Sequence, residues 1–300
     1  MTTEMFAPAF RDIVSQRATL ERVSGGYMFT EGPVWNQEDG YLVWTEIIGD
    51  TIYKWAPGEG TSVLMRPSGK ADGMTHDLEG RLVVAGWSSR TVWRLEHDGS
   101  TTTLATHYNG IKLNTPNDIV VKSDGSIYFT DPSNGIRNIG MDCEDVQKYI
   151  DYEGVYRLNP DDGSLTLLLD DMQNPNGLCF SPDESLLYIN DTPRRHIRVF
   201  DVQPNGTISN GRLFSELIGD DPGAPDGMKV DVEGNVYCTG PGGVWVIDPR
   251  GNPLGRLLTP EHCANLCFGG QDSKIMYFTA RSTIYRVRLN IPGIPTYPRE

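Results

Sequence analysis

Six copies of one short pattern constrain this chain more than any other feature. The fullest copy is Ala224-Pro225-Asp226-Gly227-Met228-Lys229-Val230-Asp231-Val232-Glu233-Gly234. Relatives begin at Glu31-Gly32-Pro33, Asp72-Gly73-Met74, Asn117-Asp118-Ile119, Asn176-Gly177-Leu178 and Asn265-Leu266-Cys267. Each copy opens on a carboxylate or amide, passes through a short apolar run to an acidic or glycine-bearing turn, and enters a second β-patterned run. The second runs are Tyr41–Glu46, Arg81–Gly86, Ser126–Asp131, Ser185–Asp191, Asn235–Gly240 and Lys274–Ala280. Third runs follow at Thr51–Trp55, Thr91–Leu95, Gly154–Leu158, His196–Phe200, Gly243–Ile247 and Thr283–Val287. A strand repeat of roughly 40–60 residues without helical periodicity is the signature of a β-propeller, one copy to a blade. The expected fold is therefore all-β, a six-bladed β-propeller.

The first strand of a blade lies nearest the axis, so equivalent positions in six blades form a ring around the central channel. In this chain the pattern places Glu31, Asp72, Asn117, Asn176, Asp226 and Asn265 in that ring. Carboxylates and amides gathered at one end of a channel repel one another when empty and desolvated, and oxygen ligands of this kind suit a hard divalent cation such as calcium, magnesium or manganese. A metal site at the central channel is the expectation. The plainer reading, that each polar residue ties down its own strand as turn-forming Asp and Asn do, weakens when six positions fall in register.

The repeat runs from about residue 30 to about 290 without a linker, as expected for one solenoid-like unit. The expected division is an N-terminal arm at 1–17, a propeller at 18–290 and a tail at 291–300. The alternating run Thr19-Leu20-Glu21-Arg22-Val23 is expected to complete the last blade and remove an exposed edge. In the third copy, the connection from Pro132 to Glu153 is far longer than its counterparts. By chain direction it overlies the ring, as a lid or pocket wall or else as a surface insertion.

With 40 acidic against 26 basic residues the net charge is −14, which repels phosphate backbones and anionic membranes. Nucleic acid and membrane partners are not expected. The five cysteines form no Cys-X-X-Cys pair and read as free thiols in a reducing compartment. No N-terminal apolar run is long enough for a signal peptide or span, so a cytoplasmic location is the expectation. Oligomeric state is not legible. The chain has no Gly-X-Ser-X-Gly elbow, no His-Glu-X-X-His and no phosphate-binding glycine loop, which disfavours serine hydrolases, zinc proteases and nucleotide enzymes. His76, four residues beyond Asp72, reads either as a core histidine or as one near the channel.

Several stretches resemble a known family. Thr30-Glu31-Gly32-Pro33-Val34-Trp35, Asn114-Thr115-Pro116-Asn117-Asp118 with Phe129-Thr130-Asp131-Pro132, Asn174-Pro175-Asn176-Gly177-Leu178 and Ala224-Pro225-Asp226-Gly227-Met228 are similar to the gluconolactonase branch of the SMP-30/gluconolactonase/luciferin-regenerating-enzyme family. The resemblance spans about residues 25–290. It implies one catalytic divalent cation at the axis, calcium ahead of magnesium, manganese or zinc, with ligands at Glu31, Asn176 and Asp226. It further implies a substrate contact at Asn117, a nearby carboxylate at Asp131, and Asp226 as general base. Two rim positions depart from the family: Gly86-Trp87 replaces a Glu-His pair, and Thr115 stands where animal members have arginine. Trp87 is expected to line a flatter, more apolar pocket wall, with His76 a further candidate contact. The implied activity is a metal-dependent lactonase acting on an aldonolactone or related small lactone. Hydrolysis of another ester or phosphoester, or a non-catalytic binding role, is the alternative.

Overall fold

Each repeat closes into one antiparallel sheet because its runs alternate apolar and polar residues and are separated by glycine-bearing turns. A computed structural model describes residues 3–138 and 140–297. Blade 1 comprises Thr30–Asn36, Tyr41–Glu46, Thr51–Ala56 and Gly60–Met65; blade 2 comprises Met74–His76, Leu82–Gly86, Thr91–Leu95 and Thr101–Ala105. Blade 3 is Ile119–Val121, Ile127–Asp131, Glu153–Leu158 and Leu165–Met172, and blade 4 is Pro175–Phe180, Leu186–Asp191, His196–Val202 and Ile208–Glu216. Blade 5 runs Met228–Val230, Val236–Gly240, Gly243–Ile247 and Pro253–Leu258; blade 6 runs Cys263–Gly269, Ile275–Ala280 and Thr283–Arg288.

Blade 6 takes its outermost strand from the N-terminus. Glu21–Gly25 pairs antiparallel with Thr283–Arg288, Glu21 opposite Arg286, so the ring closes by hydrogen bonding as the alternating N-terminal run predicts. The residues before it are not a free arm. Thr3–Met5 adds a fifth strand to blade 5, and the short helix Phe10–Ile13 buries Phe10 and Ile13 against blades 5 and 6. Among the described residues, no helix is long and apolar enough to cross a membrane.

The core lies between blades. Each gap holds one apolar cluster: Val34, Val43 and Met74 between blades 1 and 2, for example, and Phe129, Tyr156 and Val83 between blades 2 and 3. Trp93, Tyr156 and Trp245, which recur on third strands, are buried in these clusters, so the repeat itself accounts for their aromatic character. The C-terminal segment also packs on the propeller. Gly293 bridges Asp231, Ile294 N–H donates to Val230 O, and Thr296 hydroxyl donates to Trp35 O, so the segment crosses the base of the channel from blades 5 and 6 to blade 1.

Candidate metal centre and pocket

Inner strands approach so closely at the axis that the chain needs glycine beside most ring residues. A Cβ at Gly32, whose φ is +49°, would strike the Asp72 carbonyl oxygen, and one at Gly177 would strike the Asp226 carbonyl oxygen. In the same column Gly73 N–H donates to Asn117 O at 2.8 Å and Gly227 N–H donates to Ala264 O at 2.8 Å. This pattern corrects the sixth ring position. The carbonyl equivalent to those of Asp72, Asn117 and Asp226 belongs to Ala264, and Asn265 falls one step on, in the glycine column with Asp118. Both accept the next residue's backbone N–H on their side-chain oxygen: Ile119 N–H donates to Asp118 Oδ1 and Leu266 N–H to Asn265 Oδ1, each at 2.8 Å. The ring proper is Glu31, Asp72, Asn117, Asn176, Asp226 and Ala264, with Asp118 and Asn265 projecting below it.

Two amides each serve one carboxylate. Asn117 Nδ2 donates to Asp72 Oδ2 at 2.7 Å and Asn265 Nδ2 donates to Glu31 Oε2 at 2.9 Å, while the Asn176 side chain adjoins that of Asp226. Glu31, Asp72, Asn117 and Asn176 are buried, whereas Asp226 keeps part of its surface open. Burial pushes the Glu31 carboxyl up to about 7, helped by the charge of Asp118 and opposed by the Gly32 N–H. Burial, followed by the charges of Glu31 and its neighbours, also raises Asp72 and Asp226 well above the usual carboxylate range.

The residues fit a divalent cation. Asn176 Oδ1 is buried without a hydrogen-bond partner, which is costly unless something electropositive meets it. It adjoins Asp226, and the mutual repulsion of Glu31, Asp72 and Asp226 is what a cation relieves. Among the described residues, no group of three His, Cys, Asp or Glu side chains is placed to hold a metal. A cation at Glu31, Asn176 and Asp226 would therefore draw on an amide oxygen as well as carboxylates, a hard-oxygen set of the kind that suits calcium or magnesium.

The other predicted residues are placed differently from one another. Asn117 stands in the ring. Asp131 is fully buried at the end of its strand, where Oδ2 accepts Asn114 N–H at 2.9 Å. Glu46 and Asp191 do the same for Phe29 and Gln173, so Asp131 repeats a staple that fastens the segments leading into the inner strands of blades 1, 3 and 4. Burial, then the charge of Glu153, raises its carboxyl to about 8. Trp87 does not offer its face to a pocket: its indole N–H donates to Met141 O at 2.9 Å, and Gly135 of the third-copy insertion lies against the ring. Thr115 is buried and donates its hydroxyl to Pro132 O. His76 is at the opposite end of its strand, buried, with Nδ1 bonded to Thr296 Oγ1 at 3.1 Å. Burial lowers its imidazole to about 4, and it is a base-of-channel histidine.

The 132–153 insertion is tied to the propeller at several points. Lys70 Nζ and Ser88 Oγ donate to Asp142 O, and Lys112 pairs with Asp145 at 2.9 Å. Arg90, which reads as nothing special in the sequence, is its keystone. The fully buried guanidinium donates to Leu113 O, Asn114 O, Asp145 O and Gln147 O at 2.8–3.0 Å, joining blade 2, the segment leading to Asn117 and the insertion. Asp118 and Lys229 also escape a reading of single motifs. A carboxylate at a position where four other copies have glycine was the available signal for Asp118; nothing local marked Lys229. All five cysteines are buried free thiols.

The chain matches the family model described as SMP-30/Gluconolactonase/LRE-like region over residues 29–282. It is 30% identical to a gluconolactonase of Zymomonas mobilis subsp. mobilis, covering 96% of this chain and 86% of that protein. It is 26% identical to a pentonolactonase of Haloferax volcanii, covering 83% and 80%. The solved structure of a gluconolactonase from Xanthomonas campestris superposes with a TM-score of 0.89 at 31% identity, covering 96% of this chain and 95% of that one. With the propeller, the ring and these full-length likenesses in agreement, the chain belongs to the SMP-30/gluconolactonase/LRE-like family.

Proposed function

We propose that this protein is a divalent-cation-dependent lactonase that hydrolyses the ring ester of an aldonolactone or a related small lactone. The observation that carries the reading is the orphaned Asn176 Oδ1, which adjoins Asp226 in a ring that also holds the carboxylates of Glu31 and Asp72. A cation held by Glu31, Asn176 and Asp226, calcium in the first instance, would polarise the lactone carbonyl and acidify water there. Asp226 is the partly exposed member of the carboxylate set, and is assigned the general base. As water adds to the carbonyl carbon, an Asp226 oxygen takes its proton; as the ring C–O bond breaks, that proton passes to the departing alkoxide, giving the open hydroxy acid. Asn117, held by its bond to Asp72, is positioned to orient the substrate.

The names of the gluconolactonase and pentonolactonase relatives support sugar lactones as the substrate class. An aromatic preference loses its sequence argument, because Trp87 is covered by the insertion. The test is a pH-stat assay of five- and six-membered aldonolactones, an apolar lactone, an aryl ester and a phosphotriester, with and without chelator. Acid release from an aldonolactone, abolished by chelator and restored by calcium or another divalent ion, is expected. Chelator-insensitive turnover refutes the cation, and turnover confined to the aryl ester or phosphotriester refutes the substrate class.

A further inference from the structure

Below the ring, Val34, Thr75, Val120, Cys179, Lys229 and Cys267 occupy equivalent inner-strand positions, one to a blade, and line a cavity of about 70 Å³. Residues Ile294–Tyr297 of the C-terminal segment line it from beneath. Among these six Lys229 alone carries a formal charge; the Glu184 carboxylate lines the same cavity and pairs with Lys122 at 3.4 Å. Its Nζ donates to Met228 O at 3.0 Å and lies 3.9 Å from Asp118 Oδ2, too far for a hydrogen bond. Asp118 Oδ2 is itself buried without a hydrogen-bond partner. Glu31, in the ring above, also feels the ammonium charge. Glu31, Asp72, Asp118 and Asp226 thus crowd one axis as four carboxylates. When all four are ionised, one divalent cation cancels half of their charge, and the Lys229 ammonium offsets one more.

We propose that Lys229 is a tethered internal cation that sets the electrostatic potential of the metal centre from below, holding its divalent-cation affinity down while it stabilises the cation-free fold. The inference rests on the cation-site reading given above. Lys229 Nζ is directed to Met228 O and Asp118 rather than to the assigned ligands, so it acts as a positioning residue. Coulomb's law gives the direction: at separations of several Å in a partly buried site, removing a unit positive charge strengthens divalent binding by about tenfold or more. The cation-free protein is left with an uncompensated Asp118 and loses stability.

Wild type, Lys229→Met and Lys229→Arg are titrated with calcium chloride by calorimetry and melted with and without calcium. Lys229→Met is expected to bind calcium at least about tenfold more tightly. It should melt lower than wild type without calcium and gain more from calcium than wild type gains, because a ligand that binds only the fold stabilises it according to its affinity. Lys229→Arg should stay close to wild type in both. A merely structural lysine would lower the melting temperature equally with and without calcium, and unchanged or weaker binding in Lys229→Met overturns the proposal. Should that variant be unfolded without calcium, refolding on calcium addition supports the proposal and failure to refold overturns it. A wild type that binds no divalent cation overturns the cation site itself, a result distinct from a normal wild type with an unaffected variant.

Discussion

Replacing Arg90 by methionine separates the scaffold of the pocket from its chemistry. The substitution keeps an unbranched apolar stem and removes a fully buried guanidinium that donates to four backbone carbonyls, on Leu113, Asn114, Asp145 and Gln147. It also removes the contact with Asp145 at 3.6 Å and the packing over the Tyr149 ring. If water reaches half of the stranded carbonyls and each of the rest costs ~1–3 kcal/mol, the loss is about 4 kcal/mol. Unfolding entropy of about 2.1 cal/mol/K per residue gives ~0.6 kcal/mol/K for a chain of this length, so the melting temperature should fall by about 6 °C. Because the lost bonds tie down Asn114 and the insertion, KM for the best lactone should rise more than kcat falls. Arg90→Lys keeps the charge without the planar fork and should recover less than half of the loss. Differential scanning calorimetry and initial-rate kinetics are the assays. A melting temperature within about 1 °C of wild type would mean that the four bonds carry no net stability, and unchanged KM would mean that the keystone does not reach the pocket.

Asp226→Asn can still offer an amide oxygen to a cation but cannot accept a proton, so at saturating calcium its kcat should fall by about 10²–10⁴-fold; near-normal turnover would move the base elsewhere. Glu31→Gln removes a ligand charge and should weaken calcium binding without unfolding the propeller, and equal affinity by calorimetry would reject Glu31 as a ligand. His76 makes its own pH prediction: burial lowers its imidazole from 6.5 to about 4, so the unfolded chain binds the proton more readily. Stability is then full above pH 6.5 and lost as pH falls from 6.5 toward 4. His76→Gln should flatten that part of the curve of melting temperature against pH, and an identical slope in the variant would refute the assignment.

Fold and closure were legible in the sequence because both depend on local repetition. A six-fold pattern of short alternating runs has one economical solution, and the second and third strands lie within a residue or two of their predicted bounds. The N-terminal run Thr19–Val23 was recognisable as the closing strand for the same reason, and the strand itself forms two residues on, at Glu21–Gly25: alternation marks an edge that must be paired. Ring members Glu31, Asp72, Asn117, Asn176 and Asp226 were legible from register alone.

What the motifs could not specify was which way side chains turn where three or more segments meet. Register at the axis depends on which carbonyl faces the neighbouring blade, and that alone moved Ala264 into the ring and Asn265 below it. Trp87 and Asp131 lie at the expected strand ends, yet the insertion covers the first and the Asn114 backbone occupies the second. The pairing of Lys229 with Asp118 joins residues more than a hundred positions apart through the axis of a closed ring. The sequence by itself determined the blades, their number and the chemistry of the ring, since these follow from a pattern repeated along the chain. Tertiary structure alone decided which polar groups are spent on scaffold and which are left without a partner, because that depends on the neighbours that closure of the ring brings within hydrogen-bonding distance.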